Sequence, residues 1–543
     1  MNKLIQIIIL MVGVVGFSYG VDNHLVNPQI KQLTVAKVLY CGGIKCKNSQ
    51  IKAIYKDGYL IWFGDDAKLN KNAQDLLDAI KTSYQDGLNP NSYNYDKINN
   101  ILGKLSESAT DNSKQVAELD LLLSDSFLSL IHDEYYGTIN LKPNYKYWVP
   151  MKEKIDLADK FNQAVTKNQI SQTLDDLRPK YKGYAKLKKS LAEYQKLVDA
   201  GVKFQKVPTD EVLKVGSSGD AVSKLQKRLM QSGEIASIDS DGEFNEALEK
   251  AVVVYQQSNG IYDDGEVGSE TFAALNIPLF KRVKQIELNL DRMRLLPQNM
   301  SNKYVLVNIP NYTLDAYNDG DNTLMDVVVG NTTHPSCVLH SKINNVEFNP
   351  YWNVPHSIAV ADLLPKLKKD PKYLSHNHMK VYYVESGQRK HEVSPDSIDW
   401  KDMSGDSLDY RFIQDPGKIN VLGKIKFKFP NPCGIYLHDS VEKELFDVYE
   451  RDFSHGCIRV GQPTKLAKFI FDGTSYDDDK VKELIKNGKN KTIALTNQIP
   501  VYIMYFTAFV DSKTDILQFR KDLYSLDDLS AYVVHTPPTD DSE

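Results

Sequence analysis

The sequence predicts a multidomain α+β chain, helical in its first part and β-rich in its last. Three observations carry this. The 543 residues amount to about three or four domains of roughly 150 residues each. Apolar residues keep helical spacing to about residue 300 and alternate beyond it. Between the two regimes lies a short unit punctuated by Gly216, Gly219, Gly233, Gly242, Gly260, Gly265 and Gly268. Hydrophobic residues make up 42% and charged residues 25%, as in ordinary globular protein rather than a disordered chain. Lys+Arg is 66 and Asp+Glu is 71, so the formal charge is 66 − 71 = −5. That excludes a chain built mainly to grip nucleic acid phosphates. The 31 Tyr read first as sheet and core residues.

Residues 1–20 read as a secretory signal. Lys3 supplies the positive start, Leu4 to Phe17 is apolar, and Ser18-Tyr19-Gly20 offers small residues for cleavage. The apolar run is too short for the ~20 residues that span a bilayer. The mature chain is therefore expected to be exported and soluble, or tethered only at its start, with no later membrane span. An exported compartment permits disulfides. The cysteines are Cys41, Cys46, Cys337, Cys433 and Cys457, an odd number, which leaves at least one thiol free or paired between chains. Cys41 and Cys46 could close a small loop. A metal site is the other reading, but no second ligand pair follows at zinc spacing.

Residues 21–205 are expected to form a mostly helical scaffold domain. The opening 21–60 is mixed and partly extended. Leu76, Leu77, Ile80, Tyr84 and Leu88 keep helical spacing, with Gly87 and Pro90 as stops. A stronger helix covers about 115–136 and ends at Gly137; Tyr184, Leu187, Leu191, Tyr194 and Leu197 repeat the pattern. The unit at 209–280 shows three short helices, around Val222, Ala251 and Thr271. A connecting helix is expected over 284–300. From Tyr304 the period changes to alternation, in Val305, Val307 and Ile309, then Tyr312, Leu314 and Ala316, which predicts strands. Charged, turn-rich sequence at about 355–415 interrupts them and reads as an inserted subdomain over the site. Strands resume at 425–429 and 435–438, a helix follows at 463–471, and 501–510 with 516–519 are expected to finish the sheet. Residues 535–543 are polar and Pro-rich and read as a disordered tail.

The middle unit carries a specific pattern: Leu213, Gly216, Gly219, Val222, Leu225, Gln226 and Leu229, then Asp241, Gly242 and Phe244, then Ala251, Val252, Tyr255 and Gln256, then Asp264, Gly265, Val267, Gly268 and Thr271. It resembles the three-helix peptidoglycan-binding domain. Most of these are core and turn positions, so they identify a fold better than a ligand.

The reactive residue types converge near the end. His438 closes a predicted strand, and Ser454-His455-Gly456-Cys457 follows. A thiol with a pKa of ~8.5 is only a few per cent thiolate near neutral pH. A nearby imidazole can take its proton and hold the sulfur as an ion-paired nucleophile. Gly456 lets a substrate approach the backbone closely. The amides of Gly456 and Cys457 could then face a developing oxyanion. A buried thiol beside two hydrogen-bonded histidines is the alternative reading of the same composition.

This constellation, followed by Ile458-Arg459-Val460, resembles the signature of YkuD-type L,D-transpeptidases. Asn349-Pro350-Tyr351-Trp352-Asn353-Val354-Pro355, Pro416-Gly417, Asn420, Leu422-Gly423, Lys426-Phe427 and Tyr436-Leu437-His438-Asp439 are similar to the large periplasmic members from Gram-negative bacteria. The resemblance implies a scaffold domain, a peptidoglycan-binding domain and a β-rich catalytic domain at 301–534 with an inserted capping subdomain. It implies Cys457 as nucleophile, His438 as general base, and Gly456 and Cys457 as oxyanion-hole donors. His455 falls in the site as a hydrogen-bonding support rather than a proton carrier. Arg459 either contacts a stem-peptide carboxylate or braces its loop. Ser454, Asn431, Tyr436 and Trp352 count as substrate-binding, the last two as cleft wall; Arg451 reads as structural. Asp439 stands where some relatives have Ser or Gly, so a backbone carbonyl becomes the candidate for orienting His438. Cys433, five residues before His438, could sit near the site as a thiol or in a disulfide.

The implied reaction is ping-pong acyl transfer on peptidoglycan stem peptides, forming a 3→3 crosslink with release of D-alanine. Neither metal nor organic cofactor is needed, and carbapenems would acylate the same sulfur. L,D-carboxypeptidase action, transfer to a D-amino acid or protein amine, and a non-catalytic wall-binding scaffold are the alternatives.

Overall fold

The computed structural model describes residues 23–64, 68–107, 112–139, 152–208, 211–238, 242–405 and 408–527. The expected leader at 1–20, Asp241 and the tail at 535–543 lie outside them. Among the described residues, no helix is long and apolar enough to cross a membrane.

The first domain is built around the Ser113–Tyr136 helix, whose faces are nearly all buried. A helix buried all round must satisfy its polar side chains internally. Asp120 does so by accepting from the Tyr55 hydroxyl at 2.5 Å and the Trp62 amide at 2.9 Å. Asp125 accepts from the Lys47 and Asn48 amides. The opening segment departs from its mixed, extended reading: Asn23–Thr34 is a helix, followed by a short hairpin closed by the Cys41–Cys46 disulfide. The next helix, Lys71–Thr82, tightens into a 3-10 turn and stops at Gly87, φ +74°. That is left-handed backbone, which glycine adopts at least cost.

The middle unit holds three helices, Asp220–Ser232, Glu246–Asn259 and Ser269–Leu275, around its own core. Two glutamines brace its turns in the same way. Gln226 accepts from the Gly242 amide and Gln256 from the Gly265 amide, each at 2.9 Å. This explains the paired Gln and Asp-Gly in the sequence. The connecting helix is Leu279–Arg294, about five residues earlier than predicted at both ends.

The C-terminal region is a closed eight-stranded barrel: β1 Lys303–Asn308, β2 Thr313–Asn318, β3 Asp321–Val328, β4 Leu339–Phe348, β5 Ile425–Lys428, β6 Leu437–His438, β7 Ile458–Val460 and β8 Lys491–Met504. Around the barrel the order is β5-β6-β7-β3-β2-β1-β8-β4, with β6/β7 and β8/β1 parallel. The closing strand starts ten residues before the predicted 501. Ala508–Val510 and Leu517–Phe519 pair with each other in a separate hairpin and add nothing to the barrel. A helix at Asp478–Lys486 was not anticipated.

The insertion is an antiparallel four-stranded sheet in the order Trp352–Asn353, Tyr410–Gln414, Met379–Glu385, Gln388–Val393. Short helices and a π-turn at Ala359–Leu363 accompany it, over a core that includes Leu363, Leu367, Leu374, Val381, Trp400 and Phe412.

Candidate active site

Strand register builds the site. In β6 and β7, Leu437 faces Ile458 and His438 faces Arg459. Leu437 and Ile458 are fully buried inside the barrel. Side chains alternate along a strand, so Tyr436, His438, Cys457 and Arg459 share the outer face. The row continues across the sheet: His438 pairs with Lys426, and Lys426 with Glu347.

His438 is 5% exposed. Its Nδ1 lies 2.5 Å from the Asp439 carbonyl oxygen, which assigns the ring proton to Nδ1 and leaves Nε2 as the basic nitrogen. Burial, with Arg459 and Lys426 beside it, pushes the imidazole down to about 3. The Asp439 carboxylate is turned away, accepting from the Lys424 and Ser440 amides and from Lys443 Nζ at 2.6 Å.

Cys457 is the one free cysteine among the described residues. Burial pushes its thiol up, while the backbone N–H and hydroxyl of Tyr436, Lys426 and Arg459 act the other way. Burial thus disfavours the charged form of both groups. This differs from the preformed ion pair expected from sequence, because burial opposes both charges.

The Ser454–Cys457 loop is stitched to residues 329–336. The Ser454 amide donates to the Val329 carbonyl and the Asn331 amide to the Ser454 carbonyl, both at 2.9 Å. Ser336 Oγ donates to the Gly456 carbonyl at 2.8 Å and accepts from the Gly330 amide at 2.9 Å. The neighbouring Cys337 is bonded to Cys433. Gly456 has φ +102°, a conformation that requires glycine.

Three domain models match the chain: a scaffold domain at residues 49–191, one described as "Putative peptidoglycan binding domain" at 218–275, and the YkuD L,D-transpeptidase catalytic domain at 302–485. Residues 302–485 thus match an L,D-transpeptidase catalytic domain. A Haemophilus influenzae protein named "Putative L,D-transpeptidase" is 32% identical over 230 residues, covering 42% of this chain and 45% of that protein. The chain thus spans less than half the length of this curated relative. The L,D-transpeptidase structure from Xylanimonas cellulosilytica is 17% identical, with 55% of this chain and 98% of that chain covered, at a TM-score of 0.17. The E. faecium L,D-transpeptidase catalytic domain acylated by ertapenem is 15% identical, with 38% and 99% covered, at a TM-score of 0.18.

Within this L,D-transpeptidase domain, several expected roles take a different form. The Gly456 amide donates to Ser454 Oγ at 3.1 Å, so it is occupied rather than open to an oxyanion. The Ser454 hydroxyl in turn donates to the Cys457 carbonyl. Asn431 spans its own turn, donating to the Phe429 and Ile435 carbonyls and accepting from the Ile435 amide. Arg459 pairs with Glu442, in line with bracing its loop. Arg451 ties the loop to the barrel through the Val327 and Tyr312 carbonyls and Asp326. Trp352 begins the inserted sheet and packs against its core. His455 Nε2 lies 3.2 Å from Asp362 Oδ2, with its ring against His334 at 4.6 Å. Asp362, His334 and Ser336 were given no role from the sequence, where nothing in their spacing links them to partners 93 to 121 positions away.

Proposed function

We propose that the protein is an L,D-transpeptidase that crosslinks peptidoglycan stems through a Cys457 acyl-enzyme. The observation that carries this reading is the free Cys457 on the same sheet face as His438, whose Nδ1 is tied to a backbone carbonyl. The catalytic and peptidoglycan-binding domain matches support the substrate class. Peptidoglycan as substrate in turn favours an extracytoplasmic location, with the 1–20 segment as export signal.

In this reading Nε2 of His438 removes the thiol proton as Cys457 attacks the carbonyl of the third stem residue. The C–S bond forms, the C–N bond breaks, and the departing D-alanine amine carries away the proton. The side-chain amine of a second stem then attacks the thioester, forming the new amide and returning a proton to the sulfur. The Cys457 amide is the oxyanion donor. Carbapenems would be trapped at the same sulfur.

Incubation with disaccharide-tetrapeptide monomers tests this. Dimer with released D-alanine is the expected product, and Cys457→Ala should abolish it with the fold intact. Tripeptide monomer alone would assign the chain as an L,D-carboxypeptidase. Sacculus binding without turnover would leave a wall-binding scaffold. A carbapenem should add its mass at Cys457, since the other four cysteines are paired.

A further inference from the structure

The transverse row Glu347–Lys426–His438–Arg459 places one cation on either side of the base. The two cations differ. Arg459 has Glu442 as its counter-ion. Lys426 has no carboxylate within ion-pair distance among the described residues, although it is only partly exposed. Its neighbours' acids are all engaged. Glu347, opposite it in register, gives Oε2 to Lys428 at 3.1 Å and Oε1 to Asn490 at 2.9 Å. Asp439 is held by Lys443 and two amides. Lys426 Nζ instead rests 3.7 Å from the centre of the Tyr436 ring, which itself lies 5.6 Å from the ring of His438. A half-buried ammonium on an aromatic face, with an engaged acid beside it, is an anion site waiting for a ligand.

We propose that Lys426 is a specificity-determining residue whose ammonium receives the terminal carboxylate of the donor stem peptide. This rests on the stem-peptide reading above. A tetrapeptide donor carries one group that an internal peptide lacks: the free carboxylate of its last residue. That carboxylate lies about 4 Å or less from the scissile carbonyl carbon, because only one Cα intervenes. Lys426 stands opposite His438 in register and over the Tyr436 ring, so an ion pair there would hold the penultimate carbonyl beside these residues. Burial now holds the Lys426 ammonium below its usual range, and an arriving carboxylate would relieve that cost. The role separates Lys426 from Arg459, whose charge is already met.

Binding tests this without relying on turnover. In the full chain with Cys457→Ala, a tetrapeptide stem with a free C-terminus should bind about tenfold or more tighter than its C-terminal amide, read by calorimetry. Adding Lys426→Met should erase that ratio by weakening the acid alone, and Lys426→Arg should keep most of it. Equal affinities for acid and amide, or a ratio that survives Lys426→Met, overturns the proposal. So does a ratio kept by the Cys457→Ala, Lys426→Met chain while Lys426→Met alone, with Cys457 present, shifts the pH profile of Cys457 alkylation by iodoacetamide, which would make Lys426 a thiolate counter-ion. D-alanine release by the unmodified chain is measured in parallel. Carboxylate-dependent binding without release refutes the catalytic reading and upholds the role of Lys426.

Discussion

His455 Nε2 sits 3.2 Å from Asp362 Oδ2, which ties the nucleophile loop to the π-turn of the inserted subdomain. The two residues come from different sub-structures and from positions far apart in the chain. The position of Cys457's loop and the seating of the insertion are therefore one event at this contact. A π-turn breaks the regular helical ladder and re-aims a side chain, which is how Asp362 reaches out of its own core.

Asp362→Asn should uncouple the two. Burial lowers the His455 imidazole, Asp362 raises it, and His334 and Arg459 lower it further. Removing the carboxylate must then shift the His455 titration to lower pH. Activity is expected to fall about tenfold, since the base and nucleophile stay in place while the loop loses its anchor. An NMR titration of the His455 ring checks the sign; an unmoved midpoint would separate Asp362 from the loop.

The thiol should titrate late. Its folded pKa lies above the ordinary cysteine range, so the thiolate fraction is small at neutral pH. Alkylation of the free enzyme by iodoacetamide should keep rising with pH beyond the normal thiol range. The Tyr436 side chain holds the thiol down, so Tyr436→Phe should displace the rise to still higher pH. A plateau near neutrality would mean a preformed thiolate.

The two disulfides should not weigh equally. Cys337–Cys433 spans 96 residues and Cys41–Cys46 only five. Loop-closure entropy in the unfolded chain predicts about 4–5 kcal/mol for the first and about 2 kcal/mol for the second. Cys337→Ala with Cys433→Ala should lower the melting temperature of the barrel and loosen the 329–336 segment against Gly456. Hydrogen exchange at the Asn331 and Ser454 amides reports that loosening, and unchanged protection there would confine the bond to global stability.

What the sequence made legible follows its local signals. Helices with a clear apolar stripe, such as that around Leu187 and Leu191, were readable. So was the change to strands at Tyr304, because pleat alternation is written residue by residue. The hairpin at 508–519 was misassigned to the main sheet, since alternation shows a strand and never its partner. The orienting carbonyl of Asp439 was readable only as an alternative to a side chain that is missing. Asp362 and Ser336 were illegible, because their contacts exist only after closure of the barrel and docking of the insertion. The connecting helix was misplaced for a related reason. Its charged residues, which sequence puts in solvent, are buried between domains.

That buried charge is itself testable at Arg294, which is 0% exposed. Its guanidinium donates to the Asp86 carbonyl at 2.7 Å and the Tyr184 hydroxyl at 2.9 Å, and pairs with Glu134 at 3.4 Å. Arg178 joins the same group, at 3.1 Å from Glu134 and 3.0 Å from Asp86. Replacing Arg294 with Met leaves buried acids with too few cations, at a cost of ~3–5 kcal/mol. The loss should depend on pH. Burial, then Asp86, raises the Glu134 carboxyl, while Arg294 and Arg178 hold it down. Without Arg294 it rises further, so the folded variant binds a proton that the unfolded chain has released. Its deficit is then smallest near the pKa of a free carboxylate and grows as pH climbs through the raised value. Denaturant unfolding at pH values on either side of that window should show the widening gap. A gap of equal size at both would place the stability of this junction in packing rather than in charge.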